Sequence, residues 1–130
     1  MKSAKRVWFK DKVFLVSDDV YEPAEDTFLM AEHLDVHGWV LEIGTGCGII
    51  SILAADRAER VIATDINPYA ARCAKINAEM HGVSEKIDIV IGDLFAPFRE
   101  NFTFNIIPVS YTHLRAHETS LHLVCRLLLE

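Results

Sequence analysis

Apolar positions alternate at the start of the chain and then settle into helical spacing. Residues 6–16, RVWFKDKVFLV, hold two β-prone runs around Lys10-Asp11-Lys12, a pattern that predicts a hairpin. Further on, Ala24, Thr27, Phe28, Ala31 and Leu34 recur every third or fourth residue, which predicts a helix with one buried face. Pro23 suits the first position of that helix, and Glu25 and Asp26 suit its positive end. Thr27 is the one polar side chain on the predicted face. A buried hydroxyl needs a partner, either the backbone of its own helix or a ligand.

From residue 39 the pattern changes element by element. WVLEIG (39–44) predicts a buried strand and Gly44-Thr45-Gly46-Cys47-Gly48 a turn. IISILAADRAE (49–59) predicts a helix and RVIATD (60–65) a second strand. PYAARCAKINAEMHG (68–82) opens at a proline and closes at a glycine, as helices do. KIDIVIGD (86–93) predicts a third strand and FTFNII (102–107) the beginning of a fourth. Strands alternating with helices define an α/β fold with a parallel, doubly wound sheet.

The chain has 130 residues, 51% of them hydrophobic, which fits one globular domain or a piece of one. No apolar run reaches the roughly 18–20 residues that span a membrane, and the N-terminus lacks the pattern of a signal peptide. A cytoplasmic setting without a membrane is expected. Cys47, Cys73 and Cys125 lie far apart and match no metal-ligand spacing, so neither a structural disulfide nor a metal site is expected. Net charge is −6, yet Lys2, Lys5, Arg6, Lys10 and Lys12 crowd the first twelve residues. That arm is read as a solvated segment, with an acidic partner as the alternative; no interleaved aromatic and basic surface points to nucleic acid.

Three acids carry the candidate chemistry. A strand that ends in glycines and opens a helix brings backbone amides close to a ligand. The glycines here stand at 44, 46 and 48 with Ile49 next, which departs from the Gly-x-Gly-x-x-Gly dinucleotide fingerprint. Glu42 precedes them. A carboxylate there disfavours a pyrophosphate and favours a cationic ligand such as S-adenosylmethionine, with its ammonium and sulfonium. Asp65 ends the second strand, where it could accept from both ribose hydroxyls or cap the next helix; Asn67 could cap instead. Asp93 ends the third strand, where it could accept from an adenine amino group while Leu94 or Phe95 packs on the ring, or simply occupy a surface turn.

VLEIGTGCGIIS, ATDINPYAARCAKINAE and IGDLF resemble the cofactor half of a Rossmann-type S-adenosylmethionine-dependent methyltransferase. The stretch Val20-Tyr21-Glu22-Pro23-Ala24-Glu25-Asp26-Thr27-Phe28 is similar to the archaeal and eukaryotic branch of the HemK-type methyltransferases. That branch methylates the side-chain amide of a glutamine in a peptide-release factor. The resemblance implies a Rossmann-like methyltransferase fold and S-adenosyl-L-methionine as cofactor. It implies cofactor contacts at Thr27, Glu42, Gly44, Thr45, Gly46, Gly48, Asp65, Ile66, Asp93 and Leu94. It also implies a release factor as protein substrate and, as a further partner, a small zinc-binding activator protein; a methyltransferase of the same fold acting on a nucleobase or lysine, or a non-catalytic cofactor-binding module, is the alternative. The family's catalytic signature, Asn-Pro-Pro-Tyr after the fourth strand, occurs nowhere in the chain, so no catalytic residue is assigned. Phe104-Asn105-Ile106-Ile107 matches its lead-in, with Asn105 where an acid is usual.

The residues after Ile107 carry a different resemblance. VSYTHLRAHET (109–119) and HLVCRLLLE (122–130) are similar to the in-frame translation of the constant parts of a transposase-based sequencing adapter. The expectation is a partial methyltransferase domain over residues 1–107 and a non-native tail over 108–130. His113, His117, Glu118, His122 and Cys125 are accordingly not read as a metal cluster. Because the family's fold has seven strands, a chain holding three and the start of a fourth is expected to be marginally stable or to aggregate.

Overall fold

The computed structural model describes residues 3–92 and the backbone of 105–107. Strands β1 (Ala4–Phe9) and β2 (Lys12–Ser17) pair antiparallel from Ala4↔Ser17 to Phe9↔Lys12. The two-residue turn between them is possible because Lys10 takes a positive φ of 54°. Their period of two sends Phe9, Phe14 and Val16 inward and leaves Trp8 in solvent. The hairpin packs on the third helix, where His81 stacks on Phe14 at 4.6 Å and its Nε2 lies 2.7 Å from the Val13 carbonyl.

Helix α1 is Glu25–Glu32. It starts later than the sequence pattern suggests, because Ala24 is still extended and serves as N-cap, which leaves Pro23 outside. None of its residues is fully buried. Phe28, Met30 and Ala31, together with Leu34 beyond its end, are half-buried against the core, and the Phe28 ring stacks on Phe9 at 6.3 Å.

Strand β3 (Trp39–Ile43), helix α2 (Ile49–Ala55), strand β4 (Arg60–Asp65), helix α3 (Pro68–Met80) and strand β5 (Ile87–Ile91) follow, and β6 (Asn105–Ile107) ends the described chain. Helix α2 is shorter than its apolar pattern. The Glu59 amide donates to the Gly38 carbonyl at 2.7 Å, which pulls the chain toward β3 and out of the helix. Helix α3 ends where glycine was expected to end it, with Gly82 at φ 69°. Lys86 belongs to a single 3-10 turn (Ser84–Lys86), so β5 begins one residue late. Residues 93–104 and 108–130 lie outside the described residues, so the expectations for Asp93, Leu94, the start of the fourth strand and the tail lie there too.

The sheet has the order β5-β4-β3-β6, with every pair parallel. From β3 the chain adds β4 and β5 on one side and then crosses back to place β6 on the other. Such a reversal opens a crevice at the carboxyl ends of the strands beside it. Val40, Leu41 and Ile43 of β3, with Val61 and Ala63 of β4, form the centre of the core, covered by Ile49, Ile50, Ile52 and Ala54 of α2 and Ala70, Cys73 and Ala78 of α3. Arg60 ties the strand starts together. Its Nε and Nη2 donate to the two oxygens of Asp88 at 2.6 and 2.7 Å, and these hydrogen bonds, with its charge, hold the Asp88 carboxyl below the usual range. No helix among the described residues is long and apolar enough to cross a membrane.

Candidate cofactor site

The loop between β3 and α2 is built on left-handed backbone. Gly46 sits at φ 59° and Gly48 at φ 88°, conformations that side chains resist. Gly48 has a second constraint, since a Cβ there would lie 2.9 Å from Ala74 Cβ. This glycine lets α2 and α3 approach each other. The loop is tethered to the sheet by the Thr45 amide, which donates to the Thr64 carbonyl at 2.8 Å, and closed by the Gly48 amide donating to the Thr45 carbonyl at 2.9 Å.

Glu42 is 3% exposed, and three donors converge on its Oε1. Thr45 Oγ1 lies 2.7 Å away, the Ser51 amide 3.2 Å away, and Ser51 Oγ completes the set. The carboxylate thereby links strand, loop and helix through one oxygen, and Glu42 also lines the cavity described below. Burial pushes its carboxyl up to about 7; the Ser51 and Thr45 hydrogen bonds oppose that rise, and the charge of Asp65 adds to it. A cation in the cavity would favour the ionised form.

Asp65 ends β4 and is likewise buried. Its Oδ2 accepts from the Gly46 amide at 2.9 Å and its Oδ1 from the Asn67 amide at 2.9 Å. It therefore fixes the middle of the glycine loop. Each oxygen retains a lone pair for further donors such as ribose hydroxyls. The helix cap weighed for Asp65 falls to Asn67, whose Oδ1 accepts from the Tyr69 amide at 3.0 Å. Asn67 Nδ2 also donates to the Asp19 carbonyl at 2.9 Å, holding the segment after the hairpin over the strand ends.

These groups surround a cavity of about 240 Å³ at the carboxyl ends of β3 and β4. Thr27, Glu42, Gly44, Thr45, Gly46 and Asp65 all line it. Thr27 Oγ1 accepts from the Ala24 amide at 3.3 Å, the backbone alternative posed for it, and the residue also lines the cavity. Two residues named from the sequence stand apart. Gly48 does not line the cavity, because its amide is spent on Thr45 and its face on Ala74. Ile66 is exposed beside Asp65 and is not part of the wall. Sequence reasoning gave no ligand role to Tyr21, Pro23, Asp26, Met30 and Ile50, which also belong to the lining. Most come from the helix and the segment before it, where spacing reports burial and not which face meets a cavity. Cys47 is buried with its thiol pushed up to about 12 by desolvation; Cys47 and Cys73 are both free.

A parallel sheet of this order, with a glycine loop at the switch point and acids on two neighbouring strands, has the architecture of a Rossmann-like S-adenosylmethionine-dependent methyltransferase. The family model described as "Ribosomal protein L11 methyltransferase (PrmA)" matches residues 26–109, and the chain belongs to that methyltransferase family. Its curated relatives include methyltransferases of the HemK and release-factor glutamine type and a ribosomal protein L11 methyltransferase. One is a protein of Methanocaldococcus jannaschii named as a candidate protein N5-glutamine methyltransferase. It is 43% identical over 105 residues, which are 77% of this chain and 50% of the relative. The release factor glutamine methyltransferase of Aquifex aeolicus is 30% identical over 96 residues, 68% of this chain and 34% of the relative. The chain thus spans half the length of the first and about a third of the second. Among solved structures, the M. jannaschii tRNA m1G37 methyltransferase shares the fold, with a TM-score of 0.68 over 91% of this chain and 37% of that one, at 19% identity.

Proposed function

We propose that this chain is a cofactor-binding part of a methyltransferase whose acceptor is the side-chain amide of a glutamine in a peptide-release factor. The cofactor is S-adenosylmethionine, held through Thr27, Glu42, Gly44, Thr45, Gly46 and Asp65. The observation that carries this reading is the pair of buried carboxylates facing one cavity across a glycine loop. Glu42 suits the ammonium and Asp65 the ribose hydroxyls. Among the described residues, no cationic side chain lines the cavity to receive a pyrophosphate. Relatives named as glutamine methyltransferases support the acceptor.

The bound cofactor supplies an electrophilic methyl group on a sulfonium. The chain's own residues bind and orient it, so catalysis in this class is positioning and electrostatics. The signature Asn-Pro-Pro-Tyr, which by family resemblance grips the amide, is absent from these 130 residues, so weak or no methyl transfer by this chain alone is expected. A small zinc-binding activator as partner and a cytoplasmic setting belong to the same proposal.

Calorimetric titration with S-adenosylhomocysteine and with NAD tests it. Binding of the first without the second is expected; the reverse preference would sink the reading. Sequencing the gene from its source DNA past the codon for Ile107 tests the assignment of residues 108–130 as a tail. A frame running on to Asn-Pro-Pro-Tyr supports it, and a genomic Val-Ser-Tyr-Thr-His-Leu overturns it.

A further inference from the structure

Asn77, on α3, is completely buried and belongs to none of the groups that line the cavity. Its side chain nevertheless meets three backbone groups from two distant segments. Oδ1 accepts from the Leu15 amide at 2.8 Å, while Nδ2 donates to the Leu15 carbonyl at 2.8 Å and to the Cys47 carbonyl at 2.8 Å. The first two bonds treat β2 as a neighbouring strand would. The third reaches into the glycine loop, one residue beyond Gly46, whose amide Asp65 holds from the other side. Two residues after Leu15, β2 ends and the chain passes into the segment that supplies Tyr21 and Pro23 to the cavity.

We infer that Asn77 is a positioning residue for the cofactor site, clamping the glycine loop and the hairpin-borne wall into one arrangement. The inference rests on the cofactor reading above. The side chain must be an amide, since it accepts once and donates twice in the same plane. An aspartate at this place has no donor and sets its oxygen against two carbonyls. Helix α3 offers a built-in comparison one turn on. His81 also fastens the hairpin, through Val13 and Phe14, but does not reach the loop.

The test is calorimetric titration of the full chain with S-adenosylhomocysteine in three forms: unaltered, Asn77→Asp and His81→Ala. Loss of buried hydrogen bonds in N77D is expected to weaken binding by about tenfold or more. H81A is expected to lower the melting temperature while leaving affinity within about twofold, as independent sites do. Unaltered affinity in N77D, or equal weakening in both variants, overturns the role of Asn77 and leaves the cofactor reading standing. Failure of the unaltered chain to bind overturns both.

If N77D does not fold, hydrogen exchange on the unaltered chain decides. Saturating S-adenosylhomocysteine should slow exchange of the Leu15 amide more than that of Ile89, because ordering the loop orders the hairpin through Asn77. Equal slowing at the two amides means uniform stabilisation and defeats the inference.

Discussion

The two sides of the cavity are held by different means. On the glycine-loop side, Glu42, Thr45, Ser51 and Asp65 are all buried, and their bonds run between separate elements of the fold. On the α1 side no helix residue is fully buried. Thr27 bonds within its own first turn, and the nearby Lys5–Glu22 ion pair lies in solvent. A wall made of long-range buried bonds moves only when the fold loosens. A wall made of local, water-exposed bonds can shift against the core at small cost. The difference teaches where ligand geometry is fixed and where adaptation to a ligand is available.

The largest expected effect comes from adding bulk to the rigid side. Gly48→Val imposes both a left-handed β-branched residue and a clash with Ala74. It is expected to destabilise the chain by roughly 2–5 kcal/mol, combining backbone strain with overpacking. A thermal melt unchanged from the parent would show that α2 and α3 are not locked by this contact.

Asp65→Ala should come next, with S-adenosylhomocysteine affinity falling by about tenfold to a hundredfold as charge-assisted bonds are lost. Titration of a folded variant reads this, and intact affinity would remove Asp65 from the site.

Glu42 gives a pH signature. Its carboxyl titrates near 7 when folded against an ordinary 4.5, so the folded chain holds an extra proton between those values. The stability contributed by this group therefore falls as pH rises from 4.5 to 7 and is level above. Affinity for an ammonium-bearing ligand should move oppositely, rising toward pH 7 as Glu42 ionises, with proton release on binding. In Glu42→Gln that dependence should vanish; a slope retained by the variant would assign the titration to another group.

The smallest effect belongs to the other wall. Thr27→Val removes a hydroxyl bonded to an exposed amide and should cost only about 0.5–1 kcal/mol of stability. Its effect on cofactor affinity should be well below that of Asp65→Ala. An equal loss at both residues would erase the distinction between the two walls.

Much of this molecule was legible along the chain. The hairpin, the alternating strands and helices, and the glycine turn follow from local periodicity and from the backbone freedom of glycine. Glu42 and Asp65 were found because acids at strand ends converge in a parallel sheet. Pro23 suits a first helical turn, yet the chain remains extended through Ala24. Gly48 belongs to a ligand-type motif, and its missing side chain also makes room for Ala74, which no local pattern announces. Asn77 looked like an ordinary polar residue within a helix, and no local signal marks a side chain that bonds across 62 and 30 positions.

The sequence by itself determined the order of elements, the α/β class, the position of the loop and the identity of its acids, since each depends on neighbours within a few residues. Only the tertiary structure decided that Glu42 would be driven to titrate near 7, that Asp65 would hold Gly46 while Asn67 capped the helix, and that Asn77 would join hairpin to loop. Those outcomes depend on burial and on partners far apart in the chain, and neither exists until the sheet and helices close around them.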